Sequence, residues 1–89
     1  MDRFLGALVS REKNRLIPDA CDYWGELIGS WDLDYVEGMG TKGEKRLKGE
    51  WHFVRILEGM GIADVFICPA RAAGRKRGQG ECGVTVRMF

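Results

Sequence analysis

Two carboxylates lie near the only histidine of the chain in a pattern that could support acid-base chemistry. Glu50 precedes His52 by two residues, the spacing that places both side chains on one face of a β-strand. Asp64 follows a short Gly-rich turn, and a hairpin there is expected to bring it near His52. A carboxylate beside an imidazole can orient it as a general base. We favour a hydrogen-bonding role in the wall of a sheet, so we assign no catalytic residue and favour a binding protein over an enzyme.

The cysteines are odd in number and widely spaced, which limits the metal and redox chemistry of the chain. Cys21, Cys68 and Cys82 form no Cys-x-x-Cys pair, so neither a zinc ribbon nor a paired disulfide framework fits. One histidine adds few further ligands for a metal ion. We therefore predict reduced, semi-buried thiols and no metal or other cofactor.

Charge is balanced over the whole chain but concentrated locally. Fourteen Lys and Arg against thirteen Asp and Glu give a net charge of +1, so bulk electrostatics does not drive the chain to nucleic acid. The Gly- and Ala-rich stretch 70–80 carries four bases between Arg71 and Arg77 and no acid in that interval. Because no aromatic residue is interleaved there to stack on bases, we interpret this basic loop as a solvated connection and keep nucleic-acid binding as an alternative.

Hydropathy argues against a membrane protein. No stretch approaches the roughly 18 to 20 consecutive apolar residues of a spanning helix. The N-terminal residues 1–10 are too few for a signal peptide, because Arg11-Glu12-Lys13 follows at once. We therefore predict a cytoplasmic location without a membrane partner.

Helical periodicity is confined to the N-terminal part of the chain. Phe4, Leu5, Leu8 and Val9 have the spacing of an amphipathic helix, which we expect to run from Asp2 into the charged segment 11–15. A second helix of about ten residues is predicted between Asp19, as N-cap, and Gly29, with one apolar stripe. The stripe consists of Tyr23, Trp24, Leu27 and Ile28.

From Gly29 onward the hydrophobic period becomes that of β-strands. Trp31, Leu33 and Tyr35 alternate with acids, which indicates a strand with one buried face. Turns at 37–43 and 58–61 and the basic loop separate three further strand-forming runs: 47–57, 62–68 and 82–89. The links are of hairpin length, so the strands are expected to pair antiparallel in chain order.

These elements predict a mainly β fold, namely a four-stranded antiparallel meander preceded by one or two short helices. The whole chain, 1–89, is interpreted as one domain, with a helical N-terminal segment 1–28 and antiparallel strands in 29–89. Four strands with apolar residues on both faces have two exposed edges and little covering material. A second sheet is therefore expected to cover them.

The entry into the first strand resembles a known family. Gly29-Ser30-Trp31, which follows a helical turn, is similar to the Gly-x-Trp motif of calycins, the superfamily of lipocalins and fatty-acid-binding proteins. The stretches Gly49 to Phe53 and Leu57 to Val65 resemble uncharacterised bacterial calycin-like proteins. In such barrels the glycine allows the sharp change of direction and the tryptophan plugs the closed end.

The resemblance implies a β-barrel of about eight strands, twice the number predicted here. The chain is then either a fragment of a longer barrel or a half-barrel completed by a second copy. We favour the half-barrel, because pairing of two copies would bury both edges and the apolar strand faces at once. We therefore expect the chain to form a homodimer with a second copy of itself.

A calycin-like interior implies binding of a small hydrophobic or amphipathic molecule, with or without a carboxylate. The apolar candidates for its lining are Trp31, Trp51, Phe53 and Phe66, and the polar candidates are Glu50, His52, Asp64 and Arg87. In fatty-acid-binding relatives an arginine holds a carboxylate, a role that the resemblance suggests for Arg87; pairing with an acid on a neighbouring strand is the alternative. A structural or regulatory interaction module, with the barrel filled by its own side chains, is the second functional interpretation.

Overall fold

The computed structural model describes residues 2–74 and 80–89, and it is mainly β. One short helix, α1 (Asp2–Leu8), precedes an antiparallel sheet that curls into a half-barrel. Its strands are β1 (Val9–Ser10), β2 (Gly29–Glu37), β3 (Lys45–Ile56), β4 (Gly61–Cys68) and β5 (Glu81–Met88). The predicted meander of four long strands is confirmed, and the two-residue strand β1 is added to it.

Strand β3, with twelve residues, is the centre of the sheet. β4 runs along one edge of β3, and β5 pairs with the far edge of β4. On the other edge of β3, β2 pairs with residues 45–53 and β1 pairs with Arg55 and Ile56. The edge strands of the sheet are therefore β5 on one side and β2, continued by β1, on the other.

The N-terminal helix is shorter than the sequence predicted. It ends at Leu8 and does not enter the charged segment 11–15. Val9 and Ser10 instead take the part of the β3 edge that β2 leaves unpaired, and the Leu57 N–H donates to the Leu8 carbonyl over 2.8 Å. The free backbone groups of the sheet edge thus end the helix, since they offer partners that an extended chain can use.

The predicted helix between Asp19 and Gly29 is also replaced, by two 3₁₀ turns at Asp19–Cys21 and Gly25–Leu27. Pro18, and not Asp19, occupies the first N-cap position, and it makes no side-chain cap. The physical reason lies in the contacts of this segment: Asp22 binds Arg55, and Trp24 packs on Phe89 with ring centroids 5.2 Å apart. Residues two apart point in different directions on an α-helix, so a helix could not make both contacts with the sheet.

In the part of the chain that the structure describes, both faces of the sheet remain largely uncovered. The molecule measures 50 × 33 × 16 Å, and the shortest dimension corresponds to one curled sheet with its side chains. The buried apolar residues lie mainly in β3 and β4 and are Ile17, Phe53, Ile56, Ile62, Ala63 and Cys68. The face that the sequence predicted to be buried is open at Trp31, which is 46% exposed.

Within residues 2–74 and 80–89, no helix is long and apolar enough to cross a membrane.

Candidate functional site

Strand pairing divides the predicted site residues between the two faces of the sheet. Trp31, Trp51 and Phe66 form one row across β2, β3 and β4, because Trp51 pairs with both of the others. Phe53 and Asp64 form the next row of the same face, which we call the aromatic face. Glu50 and His52 point to the opposite face, since successive residues of a strand alternate.

The aromatic face carries a cluster of touching rings around Trp51. The Trp51 ring lies 5.1 Å from Phe53 and 5.6 Å from Phe66, and Tyr35 approaches Phe66 edge-on at 6.4 Å. Beside these rings is an open cavity of about 290 Å³, lined by Leu27, Trp31, Asp32, Leu33, Trp51 and Phe53. Three of the four aromatic residues predicted as lining therefore surround one cavity, and the fourth, Phe66, packs behind Trp51.

A buried carboxylate organises the polar part of the aromatic face. Asp64 is 3% exposed and accepts a hydrogen bond of 2.9 Å from the Trp51 indole Nε1–H. Its second oxygen forms an ion pair with the Arg87 guanidinium from β5. Arg87 thus pairs with an acid of the neighbouring strand, which was the predicted alternative to holding a ligand carboxylate.

One end of the aromatic face is closed by the segment that follows α1. Arg55 donates two hydrogen bonds to the Asp22 carboxylate, at 3.0 and 2.8 Å, and both side chains are mostly buried. The hydrogen bond from Arg55 lowers the pKa of Asp22. The Trp31 indole N–H donates to the Leu27 carbonyl over 2.8 Å, so the segment also holds the entry of β2. The Asp22 and Arg55 pair was not among the predicted residues, because nothing in their spacing of 33 positions signals the contact.

On the opposite face, His52 bridges a carboxylate and a hydroxyl. Its Nε2 lies 2.6 Å from Glu50 Oε1, and its Nδ1 lies 2.8 Å from Ser30 Oγ. A second cavity of about 390 Å³ adjoins them, lined by Asp32, Glu50, His52, Ala70, Arg71 and Ala72.

The expected proximity of His52 and Asp64 is wrong. Phe53 lies opposite Asp64, and His52 lies opposite Val65, so the two polar side chains point to different faces. A register shifted by one residue would have brought His52 opposite Asp64, since such a slip moves every side chain of a strand to the other face. The eight predicted site residues consequently do not share one cavity.

Arg71 holds Glu50 in its ionised form. The guanidinium donates to Glu50 Oε1 at 2.9 and 2.7 Å, and the Arg71 backbone N–H donates to Oε2 at 2.6 Å. The hydrogen bonds from the Arg71 side chain, from His52 and from the Arg71 backbone lower the pKa of Glu50 to about 2. This carboxylate is only 6% exposed, and these donors explain how a charge is retained there.

Acid is expected to weaken the fold through Glu50. Because its pKa falls from an ordinary 4.5 to about 2 in the folded protein, its stabilising effect is complete above pH 4.5 and is lost as the pH falls toward 2. In urea denaturation followed by tryptophan fluorescence, we expect the free energy of unfolding to decrease across this interval. Glu50→Gln takes up no proton and should show a shallower dependence, whereas the exposed Glu26→Gln should keep the wild-type slope. A wild-type slope in Glu50→Gln would contradict this role.

Only the first base of the predicted basic loop can be placed. Arg71 opens the 3₁₀ turn Arg71–Ala73 and pairs with Glu50, while Arg75, Lys76 and Arg77 lie outside the described residues. Among the residues that the structure describes, no three His, Cys, Asp or Glu side chains are grouped to hold a metal ion.

Comparison of the chain with protein-family models, curated proteins and solved structures finds no match. By its geometry the protein is a mainly β chain whose curled sheet carries an open aromatic cavity on one face. The resemblance to calycins stays a prediction that rests on the residues quoted for it.

Proposed function

We propose that the chain binds a small, mainly apolar molecule in the cavity of the aromatic face, as a calycin-like binding protein. The observation that carries this proposal is the cavity of about 290 Å³ between Trp31, Trp51 and Phe53. Apolar pockets with a few polar groups at their border are the usual form of small-molecule sites. The exposure of Trp31, which the fold does not bury, supports ligand binding over an interior filled by the chain itself. We also propose a cytoplasmic location.

The charges beside the cavity favour a neutral ligand over a carboxylate. Arg87 is engaged by Asp64, and Arg55 is engaged by Asp22, so these two arginines of the aromatic face already have carboxylate partners. A ligand carboxylate would have to compete with these pairs, and breaking a buried ion pair is costly because it leaves an uncompensated charge.

A fluorescent titration tests the ligand site. We expect the neutral probe N-phenyl-1-naphthylamine to bind with enhanced emission, and dodecanoate to displace it poorly. Trp31→Ala removes one wall of the cavity and should weaken probe binding about tenfold or more, since a lost aromatic contact contributes on the order of 1.5 kcal/mol. Met39→Ala, an exposed apolar residue in the β2–β3 turn, is the matched control and should bind as the wild type does.

Two results would contradict the site. Equal probe affinity in the Trp31→Ala and Met39→Ala variants would show that the probe binds elsewhere. Displacement by dodecanoate at the same concentration as by a neutral alkane alcohol would contradict the preference for an uncharged ligand.

We further propose that a second copy of the chain pairs with the open edge of the sheet and that β5 is the seam. Val84, Val86 and Met88 expose apolar side chains along β5, and Val84 is 69% exposed. The other edge strand, β2, carries Asp32, Asp34 and Glu37 without a base, so pairing two β2 strands would set acid near acid. Charge thus selects β5 over β2 for contact between copies.

The sequence of β5 is self-complementary in one antiparallel register. With Val84 opposite Val84 of the second copy, Val86 of each chain lies opposite Cys82 of the other. The Phe89 N–H donates to the Met60 carbonyl at 3.0 Å, toward β4, so by alternation the backbone groups of Val84 point to the free edge. Two copies joined in this way would form a continuous sheet, with apolar side chains paired across the seam.

Disulfide trapping tests this register. Paired residues at the seam would have Cα atoms about 5.5 Å apart, within the range that a disulfide spans. In a Cys82→Ser background, Val84→Cys should form a covalent dimer under mild oxidation, and sedimentation equilibrium should show a dimer for the wild type. Met39→Cys in the same background is the control and should form little covalent dimer.

Equal cross-linking of both variants, or a wild-type monomer throughout the concentration range, would contradict the seam. Probe binding is measured separately, so a negative result for the dimer would not contradict the ligand site.

A further inference from the structure

Ser30, His52 and Glu50 form a continuous chain of hydrogen bonds on the face opposite the aromatic cavity. Ser30 is the second residue of β2 and pairs directly with His52 on β3. The Ser30 hydroxyl lies 2.8 Å from His52 Nδ1, and His52 Nε2 lies 2.6 Å from Glu50. A nucleophile, a base and a third group that orients the base therefore follow one another within hydrogen-bonding distance.

The surroundings of Glu50 decide the direction of these hydrogen bonds. Arg71 contributes both its backbone N–H and its guanidinium to the Glu50 carboxylate, which stabilises the charged form. An ionised carboxylate only accepts hydrogen bonds, so the proton between the two groups belongs to His52 Nε2. In the neutral imidazole Nδ1 is then the acceptor, and the Ser30 hydroxyl is its donor. This is the arrangement in which a histidine can take the serine proton.

We propose that Ser30 is an acyl-accepting nucleophile toward small uncharged carboxylic esters, with His52 as its general base and Glu50 as the positioning residue. The cavity of about 390 Å³ next to His52 and Glu50 offers room for such a substrate. Asp32 contributes negative charge to its lining, which disfavours anionic esters. The proposal is independent of ligand binding at the aromatic face, because Ser30, His52 and Glu50 lie on the opposite face of the sheet and none of them lines the aromatic cavity.

The reaction balances with water as the only co-reactant. Ser30 Oγ forms a bond to the ester carbonyl carbon while its proton passes to His52 Nδ1. The bond from that carbon to the leaving alkoxide then breaks, and the alkoxide takes the proton from His52. Water, deprotonated by His52 in turn, attacks the acyl carbon on Ser30. The bond from that carbon to Ser30 Oγ breaks, the proton on His52 passes to Oγ, and the carboxylic acid is released with the serine hydroxyl restored.

Labelling with an ethyl fluorophosphonate probe, followed by peptide mapping, tests the nucleophile without interference from the cysteines. The chain contains two serines, and Ser10, whose hydroxyl donates to the Glu12 carbonyl, is the internal comparison. We expect the label on Ser30 and not on Ser10. Ser30→Ala should abolish labelling, Ser10→Ala should leave it unchanged, and His52→Gln should slow it by a factor of about 100 or more.

Hydrolysis of p-nitrophenyl acetate provides the second measurement. Wild-type protein and Ser10→Ala should release nitrophenolate at the same rate, and Ser30→Ala should lose the part of the rate that is inhibited by the phosphonate. Circular dichroism of each variant tests whether the fold is retained. Equal labelling of both serines, or a labelling rate unaffected by His52→Gln in a folded variant, would overturn the proposal.

Discussion

Asp64→Ala is expected to lower the free energy of unfolding by about 3 kcal/mol, one of the two largest effects of a single substitution that we predict. The change removes the acceptor of the Trp51 indole N–H and the partner of Arg87. Losing one member of a buried ion pair costs on the order of 3 to 5 kcal/mol, because the other charge stays without a partner. We expect the lower end of that range, since 31% of the Arg87 side chain is exposed and can be hydrated. Urea denaturation followed by tryptophan fluorescence measures the change.

The exposed pair of Asp34 and Lys48 is the matched control for this substitution. It also joins an acid to a base on neighbouring strands, but both side chains are in solvent. Surface pairs of this kind contribute little to stability, so Asp34→Ala should unfold close to the wild-type midpoint. If Asp64→Ala behaved like Asp34→Ala, the carboxylate of Asp64 would not be the buried organiser of the aromatic face.

Gly59→Ala is expected to destabilise the protein by at least about 3 kcal/mol. Gly59 has a φ of +77° in the turn between β3 and β4, a conformation that L side chains rarely adopt. A Cβ there would also lie within 2.7 Å of the Lys13 carbonyl carbon and closer still to backbone atoms of Glu12 and Asn14. The N-terminal segment crosses the turn at this point, where the Asn14 N–H donates to the Gly59 carbonyl over 3.1 Å. The added methyl group therefore pushes two parts of the backbone apart.

Two other glycines separate the contributions to this effect. Gly40 has a φ of +80° with nothing within 4 Å of its Cβ position, so Gly40→Ala measures the backbone conformation alone, at roughly 1 to 2 kcal/mol. Gly43 has neither a positive φ nor a close neighbour, and Gly43→Ala should be nearly neutral. Thermal unfolding of the three variants should give this order. A Gly59→Ala variant no less stable than Gly40→Ala would contradict the crossing of the N-terminal segment.

The strands were predictable from sequence because their signals are local. Alternation at Trp31, Leu33 and Tyr35, and β-forming runs bounded by glycines, indicated four strands close to the observed bounds. The segment 19–28 was not predictable in the same way. Its apolar residues have helical spacing, yet Asp22 contacts Arg55 and Trp24 contacts Phe89, and these distant contacts outweigh the local preference.

The candidate sites were predictable only in part, for a related reason. Glu50 and His52 could be placed on one face because two residues separate them along a single strand. Ser30 was missed, although it lies next to His52, because its position depends on how β2 and β3 align. The cavity-lining role of Leu27 was missed as well, since the turn that carries it was expected to be helical.

The sequence by itself determined where the strands and turns lie and which side chains share a face within each strand, because the two-residue period is a property of the chain alone. Only the tertiary structure decided which faces combine across strands. Register follows from long-range pairing, and a shift of one residue separates Asp64 on the aromatic face from His52 on the other. That alignment places Trp31, Trp51 and Phe53 around one cavity, and it joins Ser30 to His52 on the opposite side of the same sheet.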